Sequence, residues 1–286
     1  MRFEGKVAIV TGGATGIGEA VAKKIASEGG KIIIVGLSDD PVKEVVDEIR
    51  EDYKAEAIGL IKDLGNKKEA KEVVEAAIDR FGKLDVLISN ASILPEYSPL
   101  AAYEDENFEN LIHANIRSTY YTIKAALPEL RKSKGSIVAS GSVAGIDGLP
   151  QSASYAGTKA FIHAFVKSVA VEEGPNGIRA NVVCPGPITT EMTSPEKGAM
   201  NEELNKQMKN GTVFGRKGTA EEAANVYAFL ASEEATFVTG SLYKVDGAMT
   251  LTTGLVGEKA SDEVKENPKG KLMLKHEVEP EQTYTV

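Results

Sequence analysis

Seven short apolar runs, most of them rich in β-branched residues, recur at 6–11, 31–36, 56–61, 84–89, 135–140, 178–184 and 241–246, with longer segments of helical period between them. This alternation constrains the fold more than any other feature. Strands separated by helices cannot pair as tight hairpins, so they run parallel, and a parallel sheet needs both faces covered. The unbroken runs Val86-Leu87-Ile88 and Ile32-Ile33-Ile34-Val35 suit strands buried on both sides. Right-handed crossovers then give an α/β, Rossmann-like doubly wound sheet of seven parallel strands, with the ligand beyond the strand C-termini at the switch point. Helices are expected at about 16–29, 40–53, 66–82, 104–133, 152–174 and 219–232, with Pro128 bending the long fourth one.

At 286 residues, 42% of them hydrophobic and 26% charged, the chain can bury a full core in one domain. That domain is expected to span residues 1–250. Residues 187–215, with Pro187, Pro195, Gly198 and a short helical pattern, fall outside the alternation and suggest a lid over the sheet edge. Residues 251–286 form a charged tail with two readings, a loose terminus or an arm packed on the body or a neighbour. No run reaches the roughly 20 apolar residues that span a bilayer. The first six residues lead into a strand without a signal-like segment, so a cytoplasmic protein with no membrane partner is expected. A formal charge of −9 is ill suited to nucleic acid. The single cysteine, Cys184, lies in an apolar strand pattern and reads as a buried thiol. His113, His163 and His276 lack metal-ligand spacing, so no metal is expected.

Chemistry enters at two places. Thr11-Gly12-Gly13-Ala14-Thr15-Gly16-Ile17-Gly18 sits between the first strand and the first helix. Glycines there allow a tight turn and close approach to a pyrophosphate, which the helix N-terminus attracts. Further on, Tyr155 and Lys159 are four residues apart, on one face of a helix. A phenol of pKa about 10 is a weak acid, and a nearby ammonium favours its ionised form, as a proton donor to a developing alkoxide requires. Ser142, thirteen residues before Tyr155, lies just past the fifth strand, while Ser140 is a competing serine. Tyr120 and Lys124 repeat the spacing in a helical pattern without a serine suitably placed before them, and read as an ordinary helix face.

The glycine turn resembles that of the short-chain dehydrogenase/reductase family, Thr-Gly-x-x-x-Gly-x-Gly, at Thr11, Gly12, Gly16 and Gly18, and the resemblance extends over residues 3–249. It implies a nicotinamide-dependent oxidoreductase. Asp63, followed by Leu64, matches the carboxylate that takes the adenine amino group. Asn90 and Ala91 match the end of the fourth strand, where Ser89 and Ser92 depart from the family's Asn-Asn-Ala-Gly. Asn115, Ser142, Tyr155 and Lys159 match the catalytic set. By resemblance, Tyr155 exchanges a proton with the substrate oxygen and Ser142 holds that oxygen. Lys159 would lower the tyrosine pKa and bind the ribose hydroxyls, and Asn115 would hold a water leading to solvent. Pro185, Gly186, Ile188 and Thr190 match the turn after strand six that holds the carboxamide. Family members commonly form dimers or tetramers through the helices corresponding to 104–133 and 152–174.

For the cofactor, NAD and NADP both remain open. Gly36 stands where an acidic residue selects NAD, and Leu37 and Thr15 stand where cations select a 2′-phosphate. Ser38 can hydrogen-bond a phosphate, whereas Asp39 and Asp40 repel one, which favours NAD. The site mouth is expected to draw on Ile93, Leu94, Pro95, Ile146, Leu149, Met192 and Met200. That apolar set points to a small-molecule substrate, a bulky hydrophobic secondary alcohol or ketone of steroid, terpenoid or aromatic type, as for a hydroxysteroid dehydrogenase. The nearest rival is a 3-oxoacyl thioester reductase, although Lys197, Lys206 and Lys209 lie scattered among glutamates rather than as a basic patch for an acidic carrier. A silent nucleotide-binding regulatory protein is the rival of another class, and it would have no chemical need for all four catalytic positions.

Overall fold

The computed structural model describes residues 1–94, 97–194 and 201–266. Its main sheet contains β1 (Val7–Thr11), β2 (Lys31–Gly36), β3 (Ala57–Ile61), β4 (Val86–Ser89), β5 (Ser136–Ser140) and β6 (Arg179–Pro185). The short strands β7 (Ile188–Thr189) and β8 (Gly218–Thr219) pair with each other, and β9 (Leu242–Val245) closes the main sheet. Strand order is β3-β2-β1-β4-β5-β6-β9, every pairing parallel. Each strand lies within two residues of its expected position, and the protein is a single Rossmann-like domain.

Alternation along the central strands divides the core into two halves, because successive side chains point to opposite faces. Ala8, Val10, Ile32 and Ile34 pack under α1 (Gly16–Ser27), α2 (Val42–Tyr53) and α8 (Ala220–Ala231). Val7, Ile9, Ile33 and Val35 face α3 (Lys67–Phe81), α5 (Ser118–Ser133) and α6 (Ala153–Glu173). Each fully buried isoleucine contributes on the order of 1.5–3 kcal/mol of burial free energy, so both layers are well supported. Local chemistry sets the helix starts. The Asn66 side chain accepts from Lys68 N–H (2.9 Å) at the start of α3, and Thr219 with Glu222 forms a capping box on α8.

The single helix expected over 104–133 is interrupted. α4 (Asp105–Leu111) runs into a π-helical stretch, Ile112–Arg117, before α5 begins, and Pro128 lies inside α5, which continues past it to Ser133. A wider turn here carries the fully buried Asn115, whose amide oxygen accepts from Ile93 N–H (2.8 Å) while its NH2 donates to Ile93 C=O (3.1 Å). Bonds to both backbone groups of a neighbouring loop are what the wider turn gains, and such bulges recur at functional sites.

Beyond β6, α7 (Glu202–Gly211) forms the described part of the expected lid; residues 195–200, including Pro195, Lys197, Gly198 and Met200, lie outside the described residues. The first part of the tail packs on α7 and the loop after it. Thr252 donates to Gly211 C=O (3.2 Å), Asn210 to Glu258 (3.2 Å), and α9 (Asp262–Glu266) follows. A packed arm therefore describes the tail as far as residue 266; residues 267–286, including His276, lie outside the described residues. Among the described residues no helix is long and apolar enough to cross a membrane.

Candidate active site

The glycine turn follows β1. Gly12 and Gly16 have φ of 57° and 53°, where a Cβ is strained, and a Cβ at Gly18 would overlap the Gly12 carbonyl oxygen. Thr15 caps α1 without a side-chain bond, so the cap leaves the first N–H groups of that helix to an anion. Ile17 packs against the core below.

Opposite the turn, the end of β4 is held by a directed chain of hydrogen bonds. Asn90 donates through its NH2 to Thr11 C=O (3.2 Å) and Gly12 C=O (3.1 Å). Its amide oxygen accepts from the Ser140 hydroxyl (2.9 Å), and Ser140 and the buried Tyr227 hydroxyl lie 2.6 Å apart. Since Ser140 gives its proton to Asn90, Tyr227 must donate to Ser140. Thr11 Oγ1 accepts from Asn90 N–H (2.9 Å) and Ala91 N–H (3.0 Å). Tyr227 carried no signal in the sequence, because an α8 tyrosine at a core position looks like packing alone.

Ser140 also reaches α6, for its carbonyl accepts from the ammonium of the buried Lys159 (3.0 Å). Burial pulls the Lys159 pKa down to about 8, and the Cys184 thiol is the opposing influence. Tyr155 is half-buried, its ring centroid 5.6 Å from Lys159 Nζ. Burial pushes its phenol well above the ordinary value, against the pull of a hydrogen bond with Ser142; the neighbouring Tyr97 raises it further. The pull of Lys159 on the phenol, expected from the spacing, does not dominate while the ammonium is held by Ser140. Asn115 joins from the π stretch, its NH2 also donating to Thr158 Oγ1 (3.1 Å), which donates to Tyr155 C=O (2.8 Å). Ser142, Tyr155, Lys159 and Asn115 thus come together, whereas Tyr120 and Lys124 (3.2 Å) lie exposed on α5.

His163, one turn beyond Lys159, is buried beneath Ser142. Its Nε2 lies 3.3 Å from Ser142 N–H, which it accepts, and 3.3 Å from Cys184 Sγ. Burial, with the Lys159 charge beside it, pulls the imidazole down to about 4, and burial pushes the Cys184 thiol up to about 12. The ring is neutral and the thiol inert near neutral pH. Histidine spacing could not reveal this, since the partners come from β6 and from the loop after β5.

Around the cofactor end, Asp63 is paired with His113, Nε2 lying 2.8 and 3.0 Å from the two carboxylate oxygens, and Leu64 is buried. Gly36 ends β2 with no side chain, and Asp40 folds back towards it, accepting from Leu37 N–H (2.7 Å). An ideal Cβ on Gly36 would stand 2.8 Å from that carboxylate. Ser38 and Asp39 are exposed. Pro185 closes β6, Gly186 N–H donates to Val245 C=O (3.0 Å), and Ile188 is buried on the β7–β8 pair. Thr190 caps the next turn with Thr193, whose carbonyl accepts from the buried Lys217 (2.6 Å).

A narrow cleft, open to solvent, adjoins Tyr155. Of the apolar residues expected at the mouth, Leu94 lines it; Ile93, Ile146, Leu149 and Met192 do not, and Pro95 lies outside the described residues. Ile146 and Met192 are exposed. The walls include Tyr97, Ser98, Tyr103 and Gln151. The sequence signal for these was weak, since they precede α4 and α6 in stretches without periodicity.

A glycine turn at the first strand–helix junction and a tyrosine, lysine and serine at the neighbouring strand ends define a dinucleotide-fold oxidoreductase. A family model described as enoyl-(acyl carrier protein) reductase matches residues 12–250. The chain is 36% identical over 252 residues to the 3-oxoacyl-[acyl-carrier-protein] reductase FabG of Escherichia coli, covering 88% of this chain and all of that protein. An uncharacterized oxidoreductase of Thermotoga maritima is 34% identical over 253 residues, with 87% and 99% covered. Among solved structures, levodione reductase superposes with a TM-score of 0.83 at 28% identity, over 88% of this chain and all of that one. NAD+-bound xylitol dehydrogenase gives 0.80 at 26%, over 86% and all. The protein belongs to the short-chain dehydrogenase/reductase family.

Proposed function

We propose that this protein interconverts a ketone and a secondary alcohol with a nicotinamide cofactor. The observation that carries the proposal is that Ser142 and Lys159 both lie beside Tyr155, which lines the cleft. Gly12, Thr15, Gly16, Ile17 and Gly18 would hold the pyrophosphate. Asp63, Leu64, Asn90 and Ala91 would line the adenosine side, and Pro185, Gly186, Ile188 and Thr190 the carboxamide. The nicotinamide supplies or accepts the hydride. Tyr155 gives a proton to the substrate oxygen in reduction and takes it back in oxidation, while Ser142 holds that oxygen by a hydrogen bond. Lys159, released from Ser140 C=O to ribose hydroxyls, would bring its charge to bear on the phenol. Asn115 fixes the backbone of Ile93 and, through Thr158, the first turn of the catalytic helix.

For cofactor choice the Asp40 carboxylate supports NAD. It lies where a side chain at Gly36 would point, so a 2′-phosphate there would meet a carboxylate rather than a cation. For the substrate, the tyrosine, serine and glutamine side chains among the cleft's apolar lining favour a ketone that carries a further polar group over the wholly hydrophobic one expected from the sequence. The rival, a 3-oxoacyl thioester reductase, is favoured by the FabG relatives, and the same residues would serve it. We take the protein to be cytoplasmic and a dimer or tetramer. Exposed Tyr120, Phe161 and Val171 on α5 and α6 offer an apolar face for the assembly.

Tyr155→Phe should lower turnover by at least about a hundredfold, the lower end for a general acid, while the nicotinamide still binds. Lys159→Ala should weaken both. The check is absorbance-monitored turnover beside a fluorescence titration of the reduced nicotinamide. Wild-type turnover in purified Tyr155→Phe would remove the proposed acid–base role.

A further inference from the structure

Tyr103 lines the cleft beside Tyr155, and its hydroxyl is buried without a hydrogen-bond partner among the described residues. An unpaired buried hydroxyl costs about 1–3 kcal/mol, which a ligand oxygen would offset. Tyr97, on the same wall, is near enough to Tyr155 to act on its proton affinity. Burial pushes both the Tyr97 and the Tyr103 phenols up, so each remains a neutral donor at ordinary pH.

The rest of the lining narrows the ligand. Beside the three tyrosines stand serines, Gln151, leucines and an alanine, and among the described residues no charged side chain faces the space. A carboxylate or phosphate would meet no cation there. Gln151 is held at φ 60°, a conformation uncommon outside glycine, and its carbonyl accepts from Ser98 N–H (2.9 Å). That bond joins the loop carrying Tyr97 to the start of the catalytic helix, giving the cleft a fixed wall rather than two independent loops. Such strained residues concentrate at ligand sites, where the surrounding structure holds them.

We infer that Tyr103 is a specificity-determining residue, whose hydroxyl bonds a second, non-reacting oxygen of a small, neutral ketone or alcohol. This rests on the hydride-transfer reading above for the reacting oxygen, which Ser142 and Tyr155 hold. The second oxygen is a hydroxyl or carbonyl on the same ring or short chain. Compounds with a single oxygen fill the cleft but leave Tyr103 unpaired.

The test compares wild type with Tyr103→Phe on two probes of similar size, cyclohexanone and 4-hydroxycyclohexanone, with kcat/KM from nicotinamide absorbance and Kd from calorimetry. Wild type should prefer the hydroxyketone by about tenfold, the discrimination a site gains from one satisfied hydrogen bond. Tyr103→Phe should lose that preference through KM and Kd, with cyclohexanone unchanged. Its thermal midpoint should not fall, because the hydroxyl removed has no partner among the described residues. A wild type without the preference, or a variant that keeps it, overturns the inference while hydride transfer stands. Binding that depends on Tyr103 without turnover of either ketone would sustain the inference and sink the hydride-transfer reading.

Discussion

Asn90, beside the glycine turn, has both ends of its amide engaged by Thr11, Gly12 and Ser140, whereas Tyr103, on the cleft wall, finds no partner for its hydroxyl among the described residues. The two sides of the site differ throughout in this way. On the cofactor side a continuous path of hydrogen bonds joins Tyr227, Ser140, Asn90 and the glycine turn, with Lys159 attached through the Ser140 carbonyl. On the substrate side the loops come from the segment before α4 and from the residues before α6, and the cleft wall keeps a buried donor in reserve. A ligand with a constant shape rewards a site whose groups are already aimed, because the ordering cost is met in folding rather than in binding. A variable ligand is served by groups that only it completes.

Three experiments would break or sharpen that contrast, and the largest effect is expected from acid. His163 lies on the pre-arranged side, neutral, with its pKa pulled from 6.5 to about 4. The unfolded chain takes up this proton first as pH falls, so the stability tied to a neutral His163 is complete above about 6.5 and is lost as pH falls towards 4. On the order of 3 kcal/mol is at stake. Unfolding free energies at pH 7 and pH 4 should therefore differ more in wild type than in His163→Gln; equal slopes would mean that the imidazole is not held neutral. Next comes Asp40→Ala, expected to raise the NADPH over NADH ratio of kcat/KM by about tenfold, one charge-assisted contact's worth. A wild type that already prefers NADPH would overturn the role given to the Asp39–Asp40 pair. The smallest effect is Tyr227→Phe, which deletes the first donor of the chain leading to Asn90. About 1 kcal/mol, a several-fold rise in KM for the nicotinamide with kcat less affected, should follow. A loss of thermal stability alone, with KM unchanged, would make Tyr227 a packing residue and shrink the arranged region.

Sequence legibility follows the same division. The glycine turn, and the proposed set Ser142, Tyr155 and Lys159, stood out in the sequence because each is marked by short spacings within a single strand–loop–helix unit. Tyr97, Tyr103 and Gln151 were not, because what brings them to Tyr155 is the packing of segments up to about 60 residues apart, and no period or spacing records that. The apolar residues expected at the mouth illustrate the cost. Ile146 and Met192 sit in loops near the motifs yet turn out to be exposed, since proximity along a chain does not decide which way a loop side chain faces. The expected continuous helix over 104–133 missed the π stretch for a similar reason. Asn115 is drawn by the backbone of Ile93, a partner 22 residues away.

By itself, the sequence determined the parallel sheet, because alternating strands and helices admit few topologies, and it put Tyr155 and Lys159 side by side, because residues four apart on a helix share one face. Only the tertiary structure decided how that pair is tuned. Burial, which depends on every element packed around a group, raises the Tyr155 phenol and lowers the Lys159 ammonium to about 8, and it leaves the ammonium on Ser140 rather than on the tyrosine. It also decided that the hydroxyl of Tyr103, a tyrosine lining the cleft, has no partner among the described residues.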